Sequence, residues 1–424
     1  MEERRPGIAK WKMVSLIIGG VVALGLGGIV VRFQSLRSER DKLSERLDAA
    51  IASHEERLHS GKVWSPHALR GESVDGNGAT LQRAALSALD APEALFGKKG
   101  RCEEPTADAI AWTVEHREAL ETLRAASRAK TAFASFNLAQ GETAPLPNLR
   151  GLSSAHEALL VMAASSPPEE CLAIAADAVR LAQQWAPGAG LVGTMLAALR
   201  QSEAARAMVG CSVGAPPAAL IRSAHELAVL AEDAPNAGAG DTLEVEYLWL
   251  AAATRSSLLL SDGFPRTRLD WEAIATGDTV IEAWGVTLDH VEAAQRIGSL
   301  GYPEAATTWT ALSDSDHQSK NLLVSLAPGN DVYSKRDRES LATLRAAATL
   351  MAELAWRVRD GSDASPPPAA LADPFVKGSL SVQREDGKAL RVWSVGANGT
   401  DDGGSGDDVV IENPEKRSLC PPPR

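Results

Sequence analysis

Residues 341–358 read L-A-T-L-R-A-A-A-T-L-M-A-E-L-A-W-R-V. Leu341, Leu344, Ala348, Met351, Ala355 and Val358 recur at three- and four-residue spacing, which puts them on one face of an α-helix. No Gly or Pro interrupts the run, and Ala and Leu are the strongest helix formers. The same pattern repeats towards the N-terminus with Pro/Gly punctuation between runs. Glu104-Pro105 precede a run to Phe133, with Pro suited to a first helical turn. Ser154 and Glu157 have capping-box spacing and open Leu159-Leu160-Val161. Pro167-Pro168 break the chain, and Leu172, Ala176, Val179 and Trp185 resume the stripe. Further helices are expected at Leu191–Val209, Pro217–Ala231, Leu243–Leu260, Val280–Leu300 and Asp331–Val358. Helices joined by short breaks form antiparallel hairpins. The fold class is therefore mainly α, with an irregular bundle or hairpin stack over residues 79–361. No fixed repeat period supports a solenoid.

Composition agrees. The 424 residues are 45% hydrophobic but only 4% aromatic, which favours Ala-rich helices over sheets and excludes wholesale disorder. The net charge of -12 argues against a nucleic-acid partner, which needs a basic face. That charge is uneven. Residues 1–60 hold 10 Lys+Arg and 8 Asp+Glu, so the acidic surplus lies in the rest of the chain.

The basic end surrounds an uncharged run, Met13 to Val31 (M-V-S-L-I-I-G-G-V-V-A-L-G-L-G-G-I-V-V). As a helix these residues span about 28 Å, close to the hydrocarbon thickness of a bilayer. Trp11, Lys12 and Arg32 stand at its ends as interfacial anchors. The reading is a cytoplasmic tail at 1–12, a transmembrane helix at 13–31 contacting the lipid bilayer, and a helical stalk at 33–60. The rival is a cleaved signal peptide ending at Ala23-Leu24-Gly25, but the apolar run continues past that site. Positive charges flank both sides almost equally. A short leading tail that stays inside places the bulk of the chain outside the cytoplasm. Gly19, Ala23 and Gly27 put small residues on one helix face, which permits self-association.

A search for catalysis returns no candidate residues. His156-Glu157 and His225-Glu226 open like a zinc-protease helix, but four residues after each His stand Leu160 and Val229. There is no Walker A loop and no G-x-S-x-G elbow. Cys102, Cys171, Cys211 and Cys420 fit no zinc spacing. In an oxidising compartment Cys102–Cys171 or Cys171–Cys211 would tie helices together; buried unpaired thiols are the alternative.

After Val358 the composition changes. Asp360 to Pro368 is a break, followed by Asp373-Pro374-Phe375 and two short runs, Ser379–Gln383 and Ala389–Val395, about a turn at Asp386-Gly387. That is a hairpin signal. Next come Ser394-Val395-Gly396-Ala397-Asn398-Gly399-Thr400-Asp401-Asp402-Gly403-Gly404-Ser405-Gly406-Asp407-Asp408 and then Val409-Val410-Ile411. Clustered Asp and Asn supply hard oxygen ligands, and the glycines let backbone carbonyls turn inward. That combination suits calcium, although the spacing is not that of an EF-hand. A small β-module at 369–412 and a tail at 413–424 complete the organisation.

This D-P-F, hairpin, W-S-V-G-A-N-G-T-D-D-G-G-S-G-D-D stretch resembles the C-terminal part of type II secretion major pseudopilins, which folds around a calcium ion. By position, the resemblance implies Val395 (through its carbonyl), Asn398, Ser405, Asp407 and Asp408 as ligands. Asn398 stands where that family has Asp, and Asp401-Asp402 add an acidic residue. The N-terminus lacks the prepilin cleavage site and the Glu that follows it. The whole arrangement also resembles uncharacterised single-pass proteins of the bacterial envelope. These resemblances imply architecture and a calcium site; with the uncharged run they lead to an expected inner-membrane protein with its body in the periplasm, in a structural or protein-interaction role toward an unidentified protein partner. The alternatives are an accessory component of type II secretion or type IV pilus-like machinery, and, ranked last, an anchored enzyme.

Overall fold

The computed structural model describes residues 7–59, 74–89, 92–96, 105–131, 138, 148–185, 190–233, 239–257, 268–297, 300, 302–318, 331–359 and 368–414. Side chains at 7–26 and 256–274 lie outside this description, as do the whole of Cys102, Cys420 and the tail from 415. Most of the expected transmembrane run therefore lies outside it too. Among the described residues no helix is long and apolar enough to cross a membrane.

The architecture is mainly helical with a small antiparallel sheet. Helix α1 (Gly7–His59) is continuous over 53 residues. A two-stranded parallel pair, β1 (Val74–Asn77) and β2 (Ala129–Thr131), encloses α2 (Gly78–Ser87), α3 (Glu93–Phe96), α4 (Ala107–Glu115) and α5 (Arg117–Ala126) in sequence. Helices α6 (Leu149–Ser165), α7 (Pro168–Trp185), α8 (Gly190–Cys211) and α9 (Pro217–Asp233) follow, then α10 (Ala239–Ser257), α11 (Arg268–Ile297), α12 (Tyr302–His317) and α13 (Asp331–Arg359). Strands β3 (Ser381–Glu385), β4 (Lys388–Ser394) and β5 (Val409–Glu412) form an antiparallel sheet in that order.

Helix α7 shows how the Ala-rich code works. From Leu172 to Trp185 all but Ala173 are buried, because small side chains let neighbours approach from every direction. Its partner α8 runs back antiparallel, and a disulfide between Cys171 and Cys211 closes the open end of this hairpin. Of the pairings left open above, this is the one present. Both cysteines are fully buried.

Two apolar cores result. The larger joins α2 to α9 with α13, and it also takes in Leu380, Ala389, Val392 and Ile411 of the C-terminal module. The module is therefore an extension of the helical core. The second core joins Leu47 and Ile51 of α1 to α10, α11 and α12, with Trp284 and Trp309 fully buried. Residues 33–59 are helical, as expected of the stalk, but they do not stand off from the body. They lie along α11 and α10, fixed by Arg46 to Asp289 of α11 at 2.7 Å and by Arg255 of α10 to Asp48 at 2.6 Å.

Two local expectations need correction. Ser154 does not cap a helix: α6 begins five residues earlier, with Asn148 Oδ1 accepting from the Gly151 amide at 2.9 Å. Ser154 is buried within that helix. The run expected to reach Phe133 holds two helices broken at His116, whose ring stacks on Trp112 at 4.0 Å; the second ends at Ala126, Ala129–Thr131 form β2, and 132–133 lie outside the described residues.

Candidate metal centre

The loop between β4 and β5 spans residues 395–408, and glycines shape it. Gly396, Gly399, Gly403, Gly404 and Gly406 all have positive φ. Gly396 is the least replaceable: a Cβ there would meet the Asp407 carbonyl oxygen at 2.3 Å. The loop is anchored from outside by Asp373 of the D-P-F motif. Its Oδ1 accepts from the Phe375 amide at 2.9 Å and the Ser394 hydroxyl at 2.8 Å, and its Oδ2 accepts from the Val395 amide at 3.1 Å. Asp373 is thus the buried clamp that seats the start of the loop.

The loop gathers Asp402, Asp407 and Asp408, with one carboxylate oxygen from each lying within 4.8 Å of the others. Asp402 is exposed, Asp407 half-buried and Asp408 buried. Backbone donors hold them in place. The Gly404 amide donates to Asp408 at 2.8 Å, and the Asn398 amide donates to Asp407 at 2.9 Å. Asp407 Oδ1 is buried with no hydrogen-bond partner among the described residues. Burial, reinforced by the charges of Asp402 and Asp401, pushes the Asp408 carboxyl above its ordinary range despite the Gly404 amide.

The residues expected to act together are only partly brought together. Asp407 and Asp408 converge. Asn398 sits at the rim, its Nδ2 donating to Asp402 at 3.1 Å and its Oδ1 accepting from the Thr400 amide at 2.6 Å. The Ser405 hydroxyl turns away and donates to the Asp402 carbonyl oxygen at 2.6 Å. Val395 packs its side chain near Phe375 and Val409. Asp402 was not among the expected ligands. Of the adjacent pair, Asp401 faces outward, its Oδ1 accepting from Trp393 Nε1 at 2.8 Å and the Gly403 amide at 2.9 Å. Those hydrogen bonds hold its carboxyl below the usual range. The extra acidic residue in the sequence was the signal; the indole that claims Asp401 could not be read from it.

Three converging carboxylates with oxygen-only chemistry fit a hard divalent cation, and an orphaned buried oxygen is what such an ion would satisfy.

The His-Glu pairs of the helical body have a different use. Glu226 pairs with the fully buried Arg180, which also meets Asp177 at 3.0 Å. Glu157 pairs with the fully buried Arg200, which also meets Glu203 at 2.6 Å. His156 is buried beside them, its Nε2 3.2 Å from the Ala178 carbonyl oxygen. Burial and the nearby Arg200 cation push its pKa down to about 3, so it is neutral. His225 is exposed.

Compared with known proteins, the chain matches no family model, no curated protein and no solved structure.

Proposed function

We propose that this is a membrane-anchored protein of the bacterial envelope whose body lies outside the cytoplasm, in a structural or protein-interaction role. The observation that carries the location is the buried Cys171–Cys211 disulfide. Such bonds persist in oxidising compartments and are reduced in the cytosol. The uncharged run Met13–Val31 supplies the anchor. Membranes lysed in denaturant with a thiol-blocking maleimide, then mapped by peptide, test this. Cys171 and Cys211 are expected to react only after reduction; reaction of both without reductant overturns the location.

The C-terminal loop is the second part of the proposal. Asp402, Asp407 and Asp408 hold calcium, with Asn398 at the rim, and the ion locks the loop against β4 and β5. Its role is structural, since all-oxygen ligation without His offers little for hydrolytic chemistry at neutral pH. Calorimetry on chelator-treated protein tests this: absence of calcium-dependent heat and of any melting shift rejects the site. The resemblance of this module to pseudopilin ends supports a second reading, an accessory of secretion or pilus-like machinery. Copurification with such machinery from solubilised membranes would favour it.

A further inference from the structure

Helix α1 is held to the body differently along its length. Its ion pairs through Arg46 and Asp48 lie near solvent, where each contributes little. Leu47 and Ile51 are buried in the second core. Beyond Ile51 the described side chains are exposed or polar: Ala52, Ser53, Glu55 and Glu56 face solvent. His54 and Arg57, three residues apart and so on one face of the helix, turn to a single carboxylate, Glu244 of α10.

Glu244 is 1% exposed. Its Oε1 accepts from Arg57 Nη2 and, at 2.8 Å, from Gln295 Nε2 of α11, and its Oε2 lies 3.5 Å from His54 Nδ1. One buried carboxylate thus joins three helices. The charged groups that face it are both on α1. From α11 it meets the neutral Gln295 amide, while Glu292 pairs with Arg46 and His290 stacks on Tyr247 at 5.1 Å. On α10 itself, Glu246 turns to the start of α8, where a Cβ on Gly190 would meet its Oε1 at 2.9 Å. Among the described residues no charged group of α8 or α13 pairs with Glu244. Burial pushes the Glu244 carboxyl up, but the contacts from His54, Gln295 and Arg57 outweigh it and hold the carboxyl below its ordinary range.

Deprotonated, Glu244 is the counter-charge for both α1 groups. Once it is protonated, Arg57, whose side chain is 45% exposed, can turn to water. His54 is buried, with no hydrogen-bond partner for Nε2 among the described residues, and has lost its anion. An imidazole in water is a cation below about pH 6.5, so in acid hydration draws this side chain outward. We propose that Glu244 is an acid-operated latch: its protonation frees the last turns of α1, residues 52–59, from α10 and α11, while Leu47 and Ile51 keep the rest of the helix seated. Because the carboxyl is depressed in the folded chain, the latch is closed above the ordinary carboxylate range and opens as pH falls through the depressed value. This holds whether or not the chain is anchored in a membrane.

Amide hydrogen exchange, read by peptide mass spectrometry on the full chain in detergent micelles, tests the latch. At pH 7, Glu244→Gln, which fixes the neutral form, is expected to lower protection at residues 52–59 by about tenfold and to leave α7 as protected as in wild type. In wild type the same local loss is expected as pH falls through the carboxylate range, with exchange at each pH divided by its intrinsic rate. Unchanged protection at 52–59 in Glu244→Gln overturns the latch. So does a wild-type titration in which 52–59 and α7 lose protection together, which is global unfolding. If the variant does not fold, the wild-type titration decides alone.

Discussion

The helical body and the β4–β5 loop bury charge in opposite ways. In the body each buried guanidinium meets carboxylates from other turns or helices: Arg180 meets Asp177 and Glu226, and Arg200 meets Glu157 and Glu203. In the loop, three carboxylates meet one another. Arg391, the nearby cation, goes elsewhere. Its Nε donates to Gln383 at 2.6 Å and its guanidinium lies 5.3 Å from the Trp393 ring centre. A self-neutralised site gains nothing from an ion. A like-charged site held by backbone amides has charge for a cation to offset. The contrast predicts which half of the molecule responds to calcium.

The largest effect should come from breaking the body. Arg180→Ala leaves Glu226 buried without that cation and Asp177 with Arg124 at 2.8 Å, and is expected to cost about 3–5 kcal/mol in urea unfolding. The loss should be the same with calcium or chelator. Restoration by calcium would show the two regions are coupled. Arg180→Met combined with Glu226→Gln should recover most of the loss, because Asp177 keeps Arg124 as its cation and Glu226 no longer carries a charge.

Next comes acid. His156 is neutral when folded, with a pKa of about 3 against 6.5 for the free residue. The unfolded chain therefore takes up the proton first. Stability from this site is complete above about pH 6.5 and falls by about 1.4 kcal/mol per pH unit until His156 itself protonates near 3. His156→Gln, whose amide can still donate to the Ala178 carbonyl oxygen, should remove this dependence, so the stability of wild type relative to the variant falls by about 1.4 kcal/mol per pH unit over that window. Parallel pH curves for the two proteins would refute the assignment.

How far the sequence could be read follows the same division. Helix spacing found α7, α8, α9 and α13 within a few residues, because each has an apolar stripe with Pro or Gly at an end. It missed α12, whose stretch Thr307-Thr308-Trp309-Thr310 is β-branched and reads as no helix, yet Trp309 is drawn into the second core. It read α4 and α5 as one run to Phe133; the structure breaks it at His116, whose ring stacks on Trp112, and ends α5 at Ala126 before β2. In the loop, the residue types were legible and their directions were not. Whether Asp401 or Asp402 joins Asp407 depends on the Trp393 indole eight residues away. Asp373 looked like part of a motif, and only the fold shows it as a clamp. Local patterns encode helices; which carboxylates converge is set by contacts across strands.

Calcium sharpens the comparison on the loop side. At a hundredfold excess over its dissociation constant the ion should stabilise the protein by about 2.7 kcal/mol. Asp407→Asn with Asp408→Asn should abolish that gain. Binding should also weaken as pH falls through the raised pKa of Asp408, because the proton and calcium compete for one carboxylate. In chelator the sign inverts: protonating Asp408 favours the folded state, whose pKa is the higher, so that contribution grows as pH falls. A calcium affinity independent of pH across that titration would mean Asp408 is not a ligand.

The smallest expected effect discriminates best. Asn398 already donates its amide to Asp407, and its side chain bridges Asp402 and the Thr400 amide. Asn398→Asp keeps the acceptor toward Thr400 but replaces the donor toward Asp402 with a fourth negative charge. Without calcium the variant should lose roughly 0.5–1 kcal/mol through like-charge repulsion, screened by salt because Asn398 is on the rim. With calcium the same substitution should raise affinity, since an added carboxylate strengthens an oxygen site for a hard cation. A change of sign between chelator and calcium, in one protein and one melting experiment, is the signature of a cation site. Destabilisation in both conditions would make the loop a hydrogen-bonded acidic turn, satisfied internally like the body it is packed against.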